Sequence, residues 1–517
     1  MNKEFQKTAL LSVADTTGIV EFSQGLHEAG FAIISSGQTA ATLKKAKIPF
    51  KPVAELTRYP DICGGRLRLT HPRLLGGIIA DRGAGEQMRD LDREGIPPID
   101  LVAVNLYPLS EVFKGGGAPT GELMDFLDVS SSALLRAAAR NFNHVVTVCD
   151  PADYPAVLDS VRGKGLTVER SQSLAAKAFY YISYYDSTVA QYLSDAMEKL
   201  PDEMIISLKK TADLRYGANP HQGAALYGRS GSRPWGLIAA ELLFGKPLSY
   251  GHYIGMDRAA ELVAEFQEPA CAITKLANPA GAASCENLGE AARQAYLSDP
   301  EGCTGGIAAF NREVDKDAAA VLAPEYLECI AAPDFSTEAM DMLRTKKDVR
   351  LVRLPSLLLS ANETDIKTIS GGVILQDRDH STAPETHKVV SRRKPTPLEI
   401  PAMQLASKVA KHALSHSAVL AHASATLGIA AGQTARIDAV RLAIVKSQER
   451  HPVVPPTQPM ALASDGALSP RHLQEAAANG ISAVIQPGGT SEDRDSIQVA
   501  DELDLAMIFT GTRHFRH

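Results

Sequence analysis

Residues 272–281 read AITKLANPAG, an apolar run that delivers one lysine, Lys275, ahead of Leu276, an Asn-Pro turn and a glycine. In open α/β sheets, ligands sit beyond the carboxyl ends of strands. A lysine there can polarise a carbonyl, or move protons if its pKa is depressed. The plain alternative is a surface lysine snorkelling to water. AGQTAR (431–436) and the closing TGTRHFRH (510–517) add Gln433, Arg436, Arg513, His514 and His517. A basic tail ordinarily frays, but the apolar run LAMIF (505–509) just before it argues for anchoring. LRYGANPHQ (214–222) gathers Arg215, Tyr216, Asn219, His221 and Gln222 around a glycine and a proline. Ligand-binding loops look like this, and so do capped turns.

Two stretches nearer the N-terminus suit phosphate. SSGQT (35–39) places Ser35, Gly37 and Thr39 where a strand meets a helix. Backbone amides and hydroxyls there can cradle an anion, although an ordinary N-cap uses the same residues. GGRLRLTHPRLLGG (64–77) sets Arg66, Arg68, His71 and Arg73 between two Gly-Gly pairs. Guanidinium groups grip phosphate bidentately, and a solvated basic loop is the competing reading. The sequence holds no GxxxxGK[ST] loop, no HExxH, no HxE with PCxxC and no GxSxG. ATP hydrolysis, zinc deamination and serine hydrolysis therefore lack support.

The elements that must position these residues alternate. TALLSV, IVEFSQGLHEAG and FAIIS read as strand, helix and strand, the βαβ pattern of a parallel sheet. IDLVAVNLYPL (99–109) and HVVTVCDPADY (144–154) supply further strands, and a long helical region covers 174–199. Pro, Gly and Asn then break the pattern, so a first domain is expected over 1–199. The remainder, 200–517, mixes strand and helix signals and suits two subdomains dividing near 380–397, at the polar, proline-rich STAPETHKVVSRRKPTP. VFKGGGAPTGEL (112–123) reads as a mobile loop or an insertion, and no short-period repeat is visible.

Composition sets the bounds. A chain of 517 residues exceeds one ordinary core. Its net charge of −7 gives no global basic field for nucleic acid. No apolar stretch reaches the length of a membrane span, and no secretory leader is recognised at the N-terminus. Six scattered cysteines without a CxxC pair fit reduced thiols in a cytoplasm.

Taken in order, SVADTTGIVEF, SSGQTA, GGRLRLTHPRLLGGI, IDLVAVNLYP, LLRAAARN, LRYGANPHQ, KLANPAG, SDPEGCTGGIAAFNREVD, AGQTARIDA and TGTRHFRH resemble one family over nearly the whole chain. It is the bifunctional purine-biosynthesis family joining 5-aminoimidazole-4-carboxamide ribotide formyltransferase to inosine monophosphate cyclohydrolase. The resemblance implies an α/β protein. Its N-terminal part would be a methylglyoxal-synthase-like open parallel sheet that closes the purine ring. Its C-terminal part would be two cytidine-deaminase-like subdomains without zinc. The resemblance further implies 10-formyltetrahydrofolate as cosubstrate, no metal requirement and a cytoplasmic homodimer with the transferase site at the subunit interface.

Carried over residue by residue, the transferase pattern matches at Arg215, Tyr216, Lys275, Arg436, Asp465, Arg513 and His517. The cyclohydrolase pattern matches at Ser12, Ser35, Thr39, Arg66, Tyr107 and Asp128, with Gly37 inside the same loop. Arg68 and Arg140 stand where the family has lysine, and Ala14 and Thr16 replace serine and lysine. The family's lysine-histidine pair is Lys275-Leu276 here, and its aromatic stretch after Ala-Ser-Asp is GALSPRH. A Ser-Asn pair of the family is Ser415-His416, so His416 is expected to return the imidazole that Leu276 lacks. Lys275, His416, Tyr107, Asp128 and Arg140 are the expected catalytic residues, and the other matches are expected to bind substrate. A paralogue acting on a related ribotide and a nucleotide-binding regulator without turnover remain open.

Overall fold

The computed structural model describes residues 7–60, 62–63, 67–109, 124, 127–163, 165–194, 200–229, 235–355, 364–379, 387–451 and 459–517. Arg66 and the whole 112–123 stretch lie outside the described residues. The chain forms two compact units, one ending at Lys209 and also taking in Gly228 and Arg229, the other running from Lys210 to His517 apart from a short stretch from Gly228.

The first unit is a five-stranded parallel sheet. Its strands are β1 (Thr8–Val13), β2 (Ala32–Ser35), β3 (Lys51–Pro52), β4 (Leu101–Asn105) and β5 (Val146–Val148), in the order β3-β2-β1-β4-β5. Both faces are covered, so the central strands are apolar runs with little alternation. Leu10, Ile34, Val102 and Val104 enter one core, and Ala9, Leu11, Ile33, Leu101 and Ala103 the other, as the two-residue period of a strand dictates. Strand order reverses at β1, with β2 on one side and β4 on the other. That opens a crevice at the carboxyl ends of these strands.

The second unit contains the same topology twice. Six strands, β8 (Glu241–Phe244), β9 (Ala270–Lys275), β10 (Asn278–Ser284), β11 (Gly306–Phe310), β12 (Leu327–Ala332) and β13 (Arg350–Arg353), are ordered β10-β9-β11-β12-β13-β8. Six more, β16 (Lys388–Val389), β17 (Ala418–Ala421), β18 (Thr426–Ala430), β19 (Ala461–Ser464), β20 (Ala483–Gln486) and β21 (Ala506–Phe509), are ordered β18-β17-β19-β20-β21-β16, and two separate two-stranded ribbons pair β6 (Leu208–Leu214) with β7 (Ala224–Arg229) and β14 (Thr364–Ile369) with β15 (Gly372–Asp377). In both sheets the pairings run antiparallel, antiparallel, parallel, parallel, antiparallel.

Helices Tyr250–Val263 and Glu399–His412 precede β9 and β17, and their buried faces share a core with both sheets. That core is rich in alanine (Ala272, Ala282, Ala402, Ala406, Ala421, Ala463), which lets the layers approach closely. The α/β class read from the sequence is the class observed. The family resemblance implied two subdomains of one fold, but the residues themselves show no repeat, because the two copies share a topology and not a string of residues. Among the described residues no helix is long and apolar enough to cross a membrane.

Candidate functional sites

In the first unit the crevice is built by backbone commitments. Thr39 is buried, and its hydroxyl both accepts from Val13 N at 2.8 Å and donates to Val13 O at 3.1 Å. The Ser35 hydroxyl, fully buried, donates to Leu11 O at 2.8 Å. Both were expected to hold substrate. Their hydroxyls are instead spent on β1, so they shape the crevice and do not line it. The hydroxyls placed at its rim are Ser12 and Ser36, 3.3 Å apart. Ser36 is the N-cap of helix Gly37–Lys45 and makes no side-chain cap of its own.

Gly37 has φ +57°, and a Cβ built on it would lie 3.1 Å from the Arg68 guanidinium. Only glycine therefore allows both that backbone and that close approach of Arg68. A helix N-terminus, two hydroxyls and a guanidinium make a seat for a phosphate. His71 and Arg73, by contrast, are structural. The imidazole caps helix Pro72–Ile79 by accepting Arg73 N at 3.1 Å, and the guanidinium donates to Gly95 O at 2.9 Å.

Tyr107 follows β4, and Asp128 is the N-cap of helix Val129–Arg140, accepting Ser131 N at 2.8 Å. Two tyrosines of the long helix Val168–Ser194 fix these loops. Tyr181 Oη accepts Leu106 N at 2.9 Å, and Tyr185 Oη accepts Asp128 N at 3.3 Å. They sit four residues apart and so share one helix face. Thr70 Oγ1, hydrogen-bonded to Ser130 Oγ at 2.9 Å, ties the Arg68 loop to the same place. Arg140 does not join this site within the chain. It ends the twelve-residue helix that Asp128 begins, about 18 Å away at a rise of about 1.5 Å per residue.

In the second unit, Lys275 ends β9 and pairs with Asn278 across a two-residue hairpin. Leu276 and Ala277 have φ of +49° and +67°, the arrangement of a type I′ turn, for which Asn-Gly is the favoured pair. Leu276 is 89% exposed, so its side chain points to water. Lys275 Nζ donates to Thr304 O at 2.7 Å. Gly305, at φ +67°, leaves room for it, because a Cβ there would lie 2.7 Å from Nζ.

The hairpin meets the start of β17, where Asn278 Oδ1 accepts Leu414 N at 3.2 Å. Two residues on, His416 exchanges backbone hydrogen bonds with Gln433 at 3.0 and 3.2 Å. His416 Nδ1 lies 2.7 Å from the Arg436 guanidinium. Arg436 also donates to Ala467 O at 3.3 Å and stands 3.6 Å from Asp465, whose side chain has no exposed surface. Burial pulls the Arg436 pKa below its ordinary value, against the attraction of Asp465.

The Phe515 ring gathers the remaining groups. His416 meets its edge with centroids 5.7 Å apart, and His517 meets it at 6.2 Å. Arg513 and Arg436 lie 4.3 and 5.9 Å from its centroid, within cation–π range. The tail is anchored. Ser415 N donates to Arg516 O at 2.9 Å, Arg516 N donates to Ser415 Oγ at 3.0 Å, and the Arg516 guanidinium pairs with Glu261.

The structure thus gathers His416, Arg436, Asp465, Arg513 and His517 around Phe515, and sets the Lys275 hairpin against Leu414, two residues before His416, with the Lys275 ammonium turned to Thr304 O. It does not bring Arg215 and Tyr216 there. They stack on each other at 5.7 Å beside the ribbon of β6 (Leu208–Leu214) and β7 (Ala224–Arg229). Their loop is a capped turn in which Gly217 N donates to Gln222 O at 2.8 Å and Asn219 N to Gln222 Oε1 at 2.9 Å. Among the described residues no hydrogen bond or ion pair links this loop to the Lys275 region. Thr304, Phe515, Ser36, Tyr181 and Tyr185 were not singled out from the sequence. The Thr-Gly-Gly run and the aromatic run AFYYISYY were the available signals.

A family model described as AICARFT/IMPCHase bienzyme matches residues 138–446, and one described as MGS-like domain matches residues 18–129. The bifunctional purine biosynthesis protein PurH of Persephonella marina is 42% identical over 519 residues, covering 99% of this chain and 100% of that protein. PurH of Bacillus subtilis is 38% identical over 515 residues, covering 99% of each. A solved structure described as "Crystal structure of ForH" is 33% identical, covers 36% of this chain and 98% of its own, and has a TM-score of 0.33. With a model of the bienzyme matching more than half its length and relatives of this identity matching it end to end, the chain belongs to the AICARFT/IMPCHase bienzyme family.

Proposed function

We propose that the chain works in purine biosynthesis. It transfers a formyl group from 10-formyltetrahydrofolate to 5-aminoimidazole-4-carboxamide ribotide and closes the product to inosine monophosphate. The observation that carries this reading is the similarity of the chain over its full length to bifunctional purine enzymes, and it is supported by the meeting of the Lys275 hairpin, through Asn278 and Leu414, with the segment that carries the His416–Arg436 pair.

The acceptor amine is a poor nucleophile, because its lone pair is drawn into the ring and the neighbouring carboxamide. Attack on the formyl carbon builds negative charge on the formyl oxygen. Donors fixed in advance at that oxygen lower the barrier. The Lys275 ammonium, held by Thr304 O, and the His416 imidazole supply such groups. Leu276 cannot, since it has no proton to give. The Phe515 ring offers the flat apolar surface that GALSPRH lacks. Ring closure in the first unit needs orientation more than covalent chemistry. Ser12, Ser36, Gly37 and Arg68 seat the ribotide phosphate, while Tyr107 and Asp128 stand at the reacting end.

The working form is a homodimer. Arg140, Arg215 and Tyr216 each stand apart, within one chain, from the groups they suit, and a second copy is the source that would complete both sites. Sedimentation analysis should therefore find a dimer, and a monomer with full activity would refute this part.

The two activities separate cleanly in a test. Lys275→Met should lower formyl transfer by about two to three orders of magnitude, the scale of losing one oxyanion donor. Closure of separately supplied formylated ribotide should be unchanged, because that site belongs to the other unit. Equal loss of both, or of neither, would contradict the assignment.

A further inference from the structure

Arginine has only donors, so a hydrogen bond from Arg436 to His416 requires the ring nitrogen it meets to be an acceptor. That nitrogen is Nδ1, at 2.7 Å. We infer that Arg436 is a positioning residue which holds the His416 proton on Nε2, so that His416 meets the formyl oxygen as a hydrogen-bond donor and does not act as the base for the amine. The inference rests on the formyl-transfer reading and adds the role His416 has within it.

Three further observations show that the contact is built into the fold. Arg436 opens helix Arg436–Arg450; its other terminal nitrogen donates to Ala467 O, and the nitrogen that meets His416 also stands 3.6 Å from Asp465 Oδ1. Gly466 leaves the space it crosses, since a Cβ there would overlap the guanidinium and crowd Phe515. The His416 ring is steadied in turn by the Phe515 edge and by the two backbone bonds to Gln433. Ring orientation and tautomer are therefore set by different contacts, and both leave the Nε2 side unengaged by Arg436.

The step balances without a proton leaving His416. The amine lone pair forms the new C–N bond, and the carbonyl pair moves to oxygen, where Nε2–H donates to it. When the carbonyl re-forms, the bond to the folate nitrogen breaks. The proton released by the amine goes to that nitrogen.

The first measurement is ¹⁵N spectroscopy of histidine-labelled full-length protein, with the His416 signals identified by their loss in His416→Gln. The expected result is a proton on Nε2 and a bare Nδ1 in the native chain, and a mixture of tautomers in Arg436→Met and Gly466→Ala. A proton on Nδ1 in the native chain would overturn the inference. This reading needs no turnover, so it stands apart from failure of the functional assignment, which would show as no formylated product from the native chain.

The second measurement is the rate of formyl transfer. Glutamine presents an amide N–H near the Nε2 position and cannot serve as a base. His416→Gln should therefore stay within about tenfold of the native kcat, while His416→Ala loses about 10²–10³. Arg436→Lys, which keeps a cation and a donor, should recover part of what Arg436→Met loses. His416→Gln as slow as His416→Ala, with both folded, would show that His416 moves a proton and would overturn the proposal.

Discussion

At residue scale, Lys275 and Leu276 teach opposite lessons. Lys275 was legible because one cation closing an apolar run has few places to go. What holds it was not legible, since a backbone carbonyl such as Thr304 O leaves no mark on the sequence. Leu276 invited a chemical explanation; it is the exposed corner of a strained turn, and nothing in the structure explains a leucine there. Ala277 shares that turn at φ +67°, where a Cβ is unfavourable. Ala277→Gly should raise unfolding stability by about 0.5–1 kcal/mol in denaturant titration, less whatever glycine adds to the freedom of the unfolded chain. A loss of stability would mean that the turn is held in another conformation. Tyr181 and Tyr185 were hidden in a helical run because their hydroxyls serve backbone distant in sequence. Tyr185→Phe removes one such bond, and should cost about 0.5–1.5 kcal/mol of stability.

At the scale of elements, the strands of both units were readable from short apolar runs, and the helices from their periodicity. The duplication came only through the family resemblance and not from any repeat in the residues, yet it has a residue-level trace. Gly281 on β10 packs against Ala295 of helix Leu288–Leu297, and Gly428 on β18 packs against Ala443 of helix Arg436–Arg450. In each case a Cβ would overlap the carbonyl of the facing alanine. Neither glycine marks a turn, so a reading that treats glycine as punctuation misses both. Gly281→Ala and Gly428→Ala should each cost about 1–3 kcal/mol, the scale of overpacking, measured as a lowered denaturation midpoint. A neutral outcome at either position would show that its helix can slide outward.

At the scale of the whole molecule, two carboxylates, the half-buried Glu265 and the buried Glu399, tie the stability of the second unit to pH. Burial alone would raise the Glu265 pKa. The His412 N–H at 3.0 Å and the Lys411 ammonium at 2.7 Å overcome it and hold the value at about 2, against an ordinary 4.5. Glu399 follows the same pattern, with burial opposed by Arg393, the Ser482 hydroxyl and Thr396 N, and is also held at about 2. A carboxylate whose folded pKa is depressed contributes stability above its unfolded value and loses it as pH falls toward the folded one. The melting temperature should therefore drop as pH falls from about 4.5 to about 2. Glu399→Gln should flatten part of that drop. Undiminished acid sensitivity in this variant would place the titration elsewhere.

One chain is proposed to carry both steps despite the changed residues at each site. The most direct test is to incubate the purified protein with 5-aminoimidazole-4-carboxamide ribotide and 10-formyltetrahydrofolate and identify the products by mass spectrometry. The expected product is inosine monophosphate, formed faster than the uncatalysed closure of the formylated ribotide. Absence of any formylated product, with the substrates intact, would contradict it.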